Sequence, residues 1–275
     1  MLVYSRDGRL SNGSTVLRVR VPLLVSFALE FRVEKSPMDS GRLIAIGDVH
    51  GCVHALDKLL EVVVPQAADR IVFLGDLVDQ GKESREVLER ILRLRDECEV
   101  VLIRGNHEEM MFAARENEPA LRYWERCGGV ATLNSYRFGA ALGEIPSEHW
   151  VLLESCVPYY ETDRFIFTHA NYYANLPMDE QPDYALRWEL FDESKELPHV
   201  SGKNVVVGHT EQKSAEILDL GFAMCIDTAC WKYGWLTAID VEARDYWQAS
   251  RWGVLREDNE TSHRIRLKQL LKPVA

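Results

Sequence analysis

The sequence lacks the positive charge that binding to a polyanion requires. Its 275 residues include 32 Lys plus Arg against 43 Asp plus Glu, which gives a net charge of -11. This excess of negative charge argues against a nucleic-acid backbone or an anionic membrane as the main partner. An anionic substrate would need a locally positive site, and bound divalent cations can supply one in an acidic protein.

The sequence also lacks paired cysteines and long apolar runs. Its six cysteines include no C-x-x-C pair and no zinc-knuckle spacing, which favours a reduced chain in the cytoplasm. Residues 18–31 (RVRVPLLVSFALEF) hold about ten apolar residues, too few for a membrane span, and Glu30 interrupts them. Three interpretations of this segment stay open: a ragged start before Met38, an export signal or an additional strand.

Three segments in the first half repeat one pattern. RLIAIGDVHG, RIVFLGDLVDQG and VVLIRGNHE each place a polar cluster with glycines after an apolar run, and residues 48, 76 and 106 lie 28 and 30 residues apart. That spacing is about one βαβ unit. Residues 54–64 and 84–94 have the apolar periodicity of amphipathic helices. We therefore predict three adjacent parallel strands with their carboxyl ends at one edge, where open α/β sheets bind ligands.

The second half predicts helices and then closely spaced strands. Helical patterns cover residues 120–137 and 147–155. Apolar runs at 164–168, 204–207, 222–226 and 235–241 predict strands of a second, mixed or antiparallel sheet that packs on the first. Two of these runs lead into a histidine, and the third ends at Asp227.

The polar residues at the strand ends form a complete set of metal ligands. Carboxylate, amide and imidazole groups suit Mn, Fe or Zn better than Ca, and a central aspartate can bridge two ions. Two ions about 3.5 to 4 Å apart would hold a hydroxide for attack on a phosphoryl group. The predicted metal ligands are Asp48, His50, Asp76, Asn106, His169 and His209.

Three further residues are predicted to act on the substrate. His107 follows Asn106 directly, so its ring should diverge from the metals and protonate the leaving oxygen, with Asp79 holding its tautomer. Arg104 would grip the phosphate. Each motif alone is more often an ordinary turn or a core histidine, and the prediction rests on their conjunction. Trp124 is expected in the core, and Glu108 is expected to stabilise a helix start.

The motifs GDVHG, GDLVDQG, RGNHEEM, THA and GHT, in that order, resemble those of the PPP family of metallophosphatases. CGGVATLNSY, IPSEHW and IDTACWKYGWLTAID resemble its bacterial, lambda-phosphatase-like branch, and the similarity covers residues 43–241. The resemblance implies an α/β fold, the calcineurin-like αββα sandwich of two mixed sheets flanked by helices. It also implies two divalent ions, with Mn²⁺ expected and Fe or Zn as alternatives. On this basis residues 41–255 form the metallophosphatase domain, 1–40 an extension and 256–275 a charged tail.

The sequence departs from the family pattern at several positions. Gln80 replaces the usual phosphate-binding arginine, beside Lys82, and a neutral amide bonds phosphate more weakly than a guanidinium. Asn171 replaces a glycine beside a metal ligand, which would reshape the pocket. Arg187 precedes Trp188 rather than following it, so it is either a phosphate clamp or part of a salt bridge.

The resemblance implies a metal-dependent phosphomonoester hydrolase, acting as a serine/threonine phosphoprotein phosphatase with His107 as general acid. One alternative is hydrolysis of dinucleoside polyphosphates, although no adenine clamp is evident in the sequence. Another is a weakly active protein that binds phosphorylated partners. The expected partners are thus phosphoproteins or small phosphoesters, with no nucleic acid and no membrane.

Overall fold

The computed structural model describes residues 41–257 and the backbone of residues 265–266. The predictions for residues 1–40 and for most of the tail lie outside these ranges. The strands are β1 (Leu43–Ile46), β2 (Arg70–Phe73), β3 (Glu99–Leu102), β4 (Tyr159–Glu161), β5 (Phe165–Thr168), β6 (Asn204–Val207), β7 (Leu218–Asp219), β8 (Ala223–Cys225), β9 (Leu236–Asp240), β10 (Asp245–Ala249) and β11 (Ile265–Arg266). The α-helices are α1 (Val53–Val63), α2 (Ser84–Leu94), α3 (Asn106–Ala113), α4 (Glu118–Trp124), α5 (Val130–Tyr136), α6 (Ser147–Glu154) and α7 (Asp183–Arg187).

The first sheet contains the three parallel strands that the sequence predicts. Its order is β11-β10-β9-β1-β2-β3, and β1, β2 and β3 pair in parallel. The crossovers between them are α1 and α2, whose observed bounds match the predicted helices to within one residue. The carboxyl ends of these strands therefore meet at one edge, as the repeated segments indicate.

The second sheet has the order β4-β5-β6-β8-β7 and is mixed, with β5, β6 and β8 parallel and β4 and β7 antiparallel at its edges. One prediction is wrong here. The run at residues 235–241 forms β9, which pairs antiparallel with β1 and so belongs to the first sheet. An apolar run reads alike in either sheet, and only the long-range pairing decides which sheet it joins.

Alternating side chains place the two sheets between helices. Ile44 and Ile46 pack with α1 and α2 on one face of the first sheet, and Ala45 packs with Phe167 and Val206 between the sheets. The far face of the second sheet buries a third cluster, which includes Val205 and Val207. This arrangement is the predicted αββα sandwich.

The predicted helix at residues 120–137 is interrupted. Helix α4 ends at Trp124, a π turn spans Glu125–Gly129, and α5 follows, because Gly128 adopts a φ of 121° inside the segment. A Cβ at Gly128 would lie 2.8 Å from the backbone nitrogen of Gln80, so only glycine permits this contact. Among the described residues, no helix is long and apolar enough to cross a membrane.

Candidate active site

Loops that follow five strands bring the predicted site residues to the same edge of the sandwich. The loops after β1 and β2 carry Asp48 and His50, and Asp76 and Asp79. Helix α3, which follows β3, begins with Asn106 and His107, and the loops after β5 and β6 carry His169 and His209. Several of these loops are strained. Among the described non-glycine residues with positive φ, five of nine belong to this site: His50, Asp76, Asp79, Gln80 and His209. Left-handed backbone at non-glycine residues costs about 1 to 3 kcal/mol each and concentrates at functional sites.

Asp76 is shared by two groups of side chains whose nitrogen and oxygen atoms lie close enough together to hold a metal ion. One group is Asp76 with His50 and His107, and the other is Asp76 with His169 and His209, with ligand atoms within 4.8 Å of one another in each. The Oδ2 atom of Asp76 lies 3.4 Å from His50 Nε2, and its Oδ1 atom lies 3.4 Å from His169 Nε2. The Asp76 carboxylate therefore faces both groups and would be a shared ligand if two divalent ions were bound.

Main-chain carbonyls orient the three histidines. The Nδ1 atoms of His50 and His169 lie 3.0 Å from Val78 O and 2.8 Å from Leu74 O, and His209 Nε2 lies 3.2 Å from Trp188 O. Each carbonyl can only accept, so that ring nitrogen carries the hydrogen and the other nitrogen keeps its lone pair. This fixing of the tautomer is the usual arrangement for metal-binding histidines.

Burial favours the neutral form of the same three histidines. Burial lowers the pKa of His169 to about 3 against the attraction of Asp76. Burial also lowers the pKa values of His50 and His209, with Asp76 acting in the opposite direction. A neutral imidazole is the form that binds a metal ion, so burial prepares these side chains as ligands.

Asn106 supports the same conclusion from the chemistry of its neighbours. Its amide faces the Asp76 carboxylate and lies 3.0 Å from His169 Nε2. If the Asn106 oxygen faces Asp76 and His169, the amide oxygen, the Asp76 carboxylate and His169 Nε2 are all acceptors, and a bound cation would satisfy them together. If the Asn106 nitrogen faces them instead, it would donate to Asp76 and His169 at 3.0 to 3.2 Å. The donor set therefore fits a divalent cation bound by nitrogen and oxygen.

Asp48 lies against the same centre from the β1 side. It is buried, and its carboxylate oxygens accept from the backbone N–H of His209 at 3.0 and 3.2 Å. Burial, Asp227 and Asp76 together raise its pKa well above the usual range. Burial likewise raises the pKa values of Asp227 and Glu108 to about 7. Several carboxyls concentrated in one buried region carry a charge that bound cations would neutralise.

Glu108 does more than stabilise a helix start. Its carboxylate accepts from the backbone N–H groups of Gly105, Asp76 and Leu77 at 2.8 to 2.9 Å, so it fixes the loop that carries Asp76. A Cβ at Gly105 would overlap the Asp76 carboxylate, which explains the glycine before Asn106.

His107 and Asp79 form the pair that the sequence predicts. His107 Nδ1 lies 2.8 Å from Asp79 Oδ2, and its Nε2 lies 3.9 Å from Asp76 Oδ2, so the ring lies nearer to the ligand cluster than the predicted divergence suggests. Burial lowers the pKa of His107, but Asp76 and Asp79 outweigh burial and raise it to about 9. The ring therefore holds a proton beside the centre.

Two residues that the predicted site omits hold Asp79 in place. Trp124 Nε1 donates to Asp79 Oδ2 at 2.8 Å, and the Thr132 hydroxyl donates to Asp79 Oδ1 at 2.7 Å. Trp124 is fully buried, as predicted, but it also serves this carboxylate. The CGGVATLNSY segment was the sequence feature that could have indicated these two supports of Asp79, because its glycines let α4 and α5 approach Asp79.

The predicted phosphate-binding residues differ in how far other residues already occupy their hydrogen-bond donors. The guanidinium of Arg104 packs 4.9 Å from the Phe112 ring, and its buried Nε has no hydrogen-bond partner among residues 41–257. Gln80 donates its amide to Cys127 O at 2.9 Å. Arg187 pairs with Glu109 and, at 2.8 Å, with Asp183. These contacts match the salt-bridge alternative, in which the Arg187 side chain is largely buried and its two acidic partners are more exposed.

Asn171 is turned toward the next loop. Its Nδ2 donates to Leu190 O at 3.1 Å and to Glu196 at 3.0 Å, and its Oδ1 accepts from Tyr172 N. The side chain therefore anchors residues 190–196. The expectation that it reshapes the metal pocket has no support in these contacts.

Comparisons with known proteins agree with this geometry. The family model for calcineurin-like phosphoesterases matches residues 41–237. Two relatives named symmetrical bis(5'-nucleosyl)-tetraphosphatase are similar, one from Paracidovorax citrulli (42% identity over 73 residues, 26% of this chain and 25% of the relative) and one from Thioalkalivibrio sulfidiphilus (38% over 124 residues, 42% and 45%). A crystal structure of a protein provisionally assigned as a diadenosine tetraphosphatase has a TM-score of 0.54 at 22% identity, covering 74% of this chain and 90% of that one.

The chain belongs to the calcineurin-like phosphoesterases, metal-dependent hydrolases that use a dinuclear site of divalent ions. Its matches span about a quarter to a half of the length of these two curated relatives. The solved structure supports the fold.

Proposed function

We propose that this protein is a metal-dependent hydrolase that cleaves the phosphoanhydride chain of dinucleoside polyphosphates. The observation that carries the proposal is the position of Asp76, which two ligand groups share, beside a histidine that holds a proton. The substrate class rests on the names of the curated relatives. We prefer this hypothesis to the phosphoprotein phosphatase that the resemblance of the motifs implies.

We assign the six predicted ligands as the residues that hold two divalent ions. Such ions would supply an activated water and neutralise charge on the phosphoryl group. His107 donates its proton to the leaving oxygen, and Asp79 holds the ring in position for that transfer. Arg104 binds a phosphate oxygen in this proposal, because its guanidinium carries a positive charge and its Nε bonds to no residue of the described range.

The phosphate-binding residues favour an internal phosphate over a terminal one. A terminal monoester is close to a dianion at neutral pH, whereas an internal phosphate of a polyphosphate chain carries one negative charge. Gln80 stands where an arginine usually binds the monoester, and its amide already bonds to Cys127. The neutral side chain weakens the grip on a dianion more than the grip on a monoanion.

A phosphoserine or phosphothreonine phosphatase is the second candidate, and the acid pair favours it. A serine alkoxide is a poor leaving group and needs a proton, whereas a nucleotide leaving group needs one less. The paired His107 and Asp79 are thus of more use against an ester. The third possibility, a binding protein without turnover, leaves this pair without a role.

A substrate panel with Mn²⁺-loaded protein separates these candidates. Diadenosine tetraphosphate, a phosphothreonine peptide and p-nitrophenyl phosphate are compared by kcat/KM, for the wild type and for Asp76→Asn. We expect the highest value on diadenosine tetraphosphate and a collapse of every activity in the variant. Faster hydrolysis of the peptide would assign the second candidate, and binding without any turnover would assign the third.

A further inference from the structure

A cavity of about 350 Å³ lies beside the candidate active site and contains features that the proposed reaction does not use. It is lined by Cys52, His54, residues 80–83, Trp231, Arg251 and Trp252. Its volume is at the lower end of the range of about 300 to 1,000 Å³ that small-molecule sites occupy. It suits one nucleoside better than a complete dinucleotide. Gln80 and Lys82 lead from it toward Asp79.

Trp231 connects this cavity to the metal ligands. Its ring centroid lies 6.4 Å from that of His50, with the two planes at 72°. Its indole nitrogen donates to Glu211 at 3.1 Å, and its carbonyl accepts from Arg251 at 2.8 Å. The ring is therefore held in one orientation at the border between the cavity and the centre.

Trp252 lies on a tight turn after β10 and is 72% exposed. Ser250 accepts from Gly253 N at 2.8 Å, and Gly253 adopts a φ of 72°, so the turn is well defined. The Arg251 guanidinium covers the Trp252 ring at 4.7 Å while it bonds to the carbonyl of Trp231. One arginine thus contacts two tryptophans, one before β9 and one after β10, beside the same cavity. Burial in the core does not account for so exposed an indole.

The charges around the cavity favour an aromatic ligand that carries phosphate. Arg251 and Lys82 contribute two positive charges against the one negative charge of Glu83, and Lys82 forms no ion pair with any residue of the described range 41–257. Indole rings bind nucleobases by stacking, which is tolerant of base identity because every base has a π face. Lys82 would meet the first phosphates on the path toward His107 and Asp76.

We infer that the Trp231–Trp252 cavity binds one nucleobase of the polyphosphate substrate and orients the phosphate chain toward the metal centre. This inference rests on the proposed function for the identity of the substrate. The sequence alone does not reveal such a base-binding site, because the antiparallel pairing of β9 with β10 and the turn after β10 together bring the two tryptophans to one cavity.

Trp252→Ala tests the inference, with Trp252→Phe as the conservative variant and Phe138→Ala as the matched control. Phe138 is also an exposed aromatic residue, at 89%, but it does not line the cavity. The Mn²⁺-loaded proteins are assayed on diadenosine tetraphosphate and on p-nitrophenyl phosphate, which has no nucleobase. We expect kcat/KM on diadenosine tetraphosphate, divided by kcat/KM on p-nitrophenyl phosphate, to fall about tenfold in Trp252→Ala because KM for diadenosine tetraphosphate rises. This ratio should recover in Trp252→Phe and stay unchanged in Phe138→Ala.

Equilibrium dialysis with labelled adenosine, which contains no phosphate to hydrolyse, gives a second measurement. Saturable binding that weakens about tenfold in Trp252→Ala supports the inference, and equal binding by all variants, or none, overturns it. An unchanged kinetic ratio in Trp252→Ala also overturns it. If the wild type does not cleave diadenosine tetraphosphate, the proposed function fails, and the dialysis alone decides whether the cavity binds a nucleobase.

Discussion

His107 Nδ1 lies 2.8 Å from Asp79 Oδ2, and this buried carboxylate also accepts from the side chains of Trp124 and Thr132. Both oxygens of Asp79 are thereby occupied by fixed donors, so the carboxylate cannot turn away from the histidine. The proton of His107 is held beside Asp76 by a network that extends into the core. This arrangement makes the acid pair the part of the site most open to tests by mutation.

The loss of activity on removal of the proposed acid, His107, should depend on the leaving group of the substrate. We expect His107→Gln to lower kcat about 10²- to 10⁴-fold on phenyl phosphate, and less on p-nitrophenyl phosphate, whose leaving group needs no proton. His149→Gln is the matched control, because His149 is also buried but bonds to Tyr136 away from the site. Equal losses on the two esters would show that His107 does not act as the acid.

Removal of one support of Asp79 should reduce both activity and stability. Thr132→Val keeps the shape of the side chain but leaves a buried Asp79 oxygen with one donor fewer. We expect a loss of about 1 to 3 kcal/mol in the free energy of unfolding, together with a lower kcat. The hydroxyl of Thr162, which bonds to Phe165 at the β4–β5 turn, offers the control Thr162→Val. Unaltered kcat in Thr132→Val would rule out a positioning role for this network.

Loss of the Arg104 guanidinium should weaken substrate binding. We expect Arg104→Met to raise KM about 10- to 100-fold, since hydrogen bonds to charged groups contribute about 1.5 to 3 kcal/mol each. Arg115→Met is the control, because Arg115 stacks on Trp150 much as Arg104 stacks on Phe112. Steady-state kinetics of both variants on one substrate make the comparison. A KM equal to that of the wild type would place Arg104 outside the site.

A change of charge at position 80 should shift substrate preference. Gln80→Arg introduces the arginine of the phosphatase motif that GDLVDQG resembles, and we expect a higher kcat/KM on p-nitrophenyl phosphate. The gain should be smaller on diadenosine tetraphosphate, whose internal phosphates are monoanionic. A decrease on the monoester would indicate that the pocket is built around the amide and its bond to Cys127.

Metal ions should stabilise the fold more at pH 8 than at pH 5. Burial raises the pKa of Asp227 to about 7 and that of Asp48 well above its usual range. Such a carboxyl contributes stability that is complete below its unfolded pKa of about 4 and is lost as pH rises through the folded value. Metal binding requires ionised carboxylates and neutral histidines, so it offsets that loss at high pH. Melting temperatures with Mn²⁺ and with EDTA at each pH provide the comparison, and equal increments would contradict the account.

The fold was largely predictable, because its first half repeats one local pattern. Apolar strands, glycine-bracketed polar clusters and amphipathic helices at βαβ spacing define three parallel strands, and the structure has them. The position of β9 was not predictable in this way. Its partner is β1, almost two hundred residues earlier, and nothing within residues 235–241 distinguishes the two sheets.

The candidate site likewise contains residues that local sequence patterns predict and residues that they do not. Residues at strand ends, such as Asp76 and His169, converge because parallel strands deliver them to one edge. Trp124, Thr132 and Trp231 reach the site from helices and loops, and their contacts depend on a π turn and on long-range packing. Such contacts leave no periodic trace in the sequence.

The most direct test of the central claim is electron paramagnetic resonance of the Mn²⁺-loaded protein, with the metal content measured on the same sample. Because Asp76 is shared by two ligand groups, we predict two ions per chain with a spin-coupled spectrum, which Asp76→Asn converts to that of isolated ions or abolishes. A single bound ion, or two uncoupled ions in the wild type, would contradict this prediction.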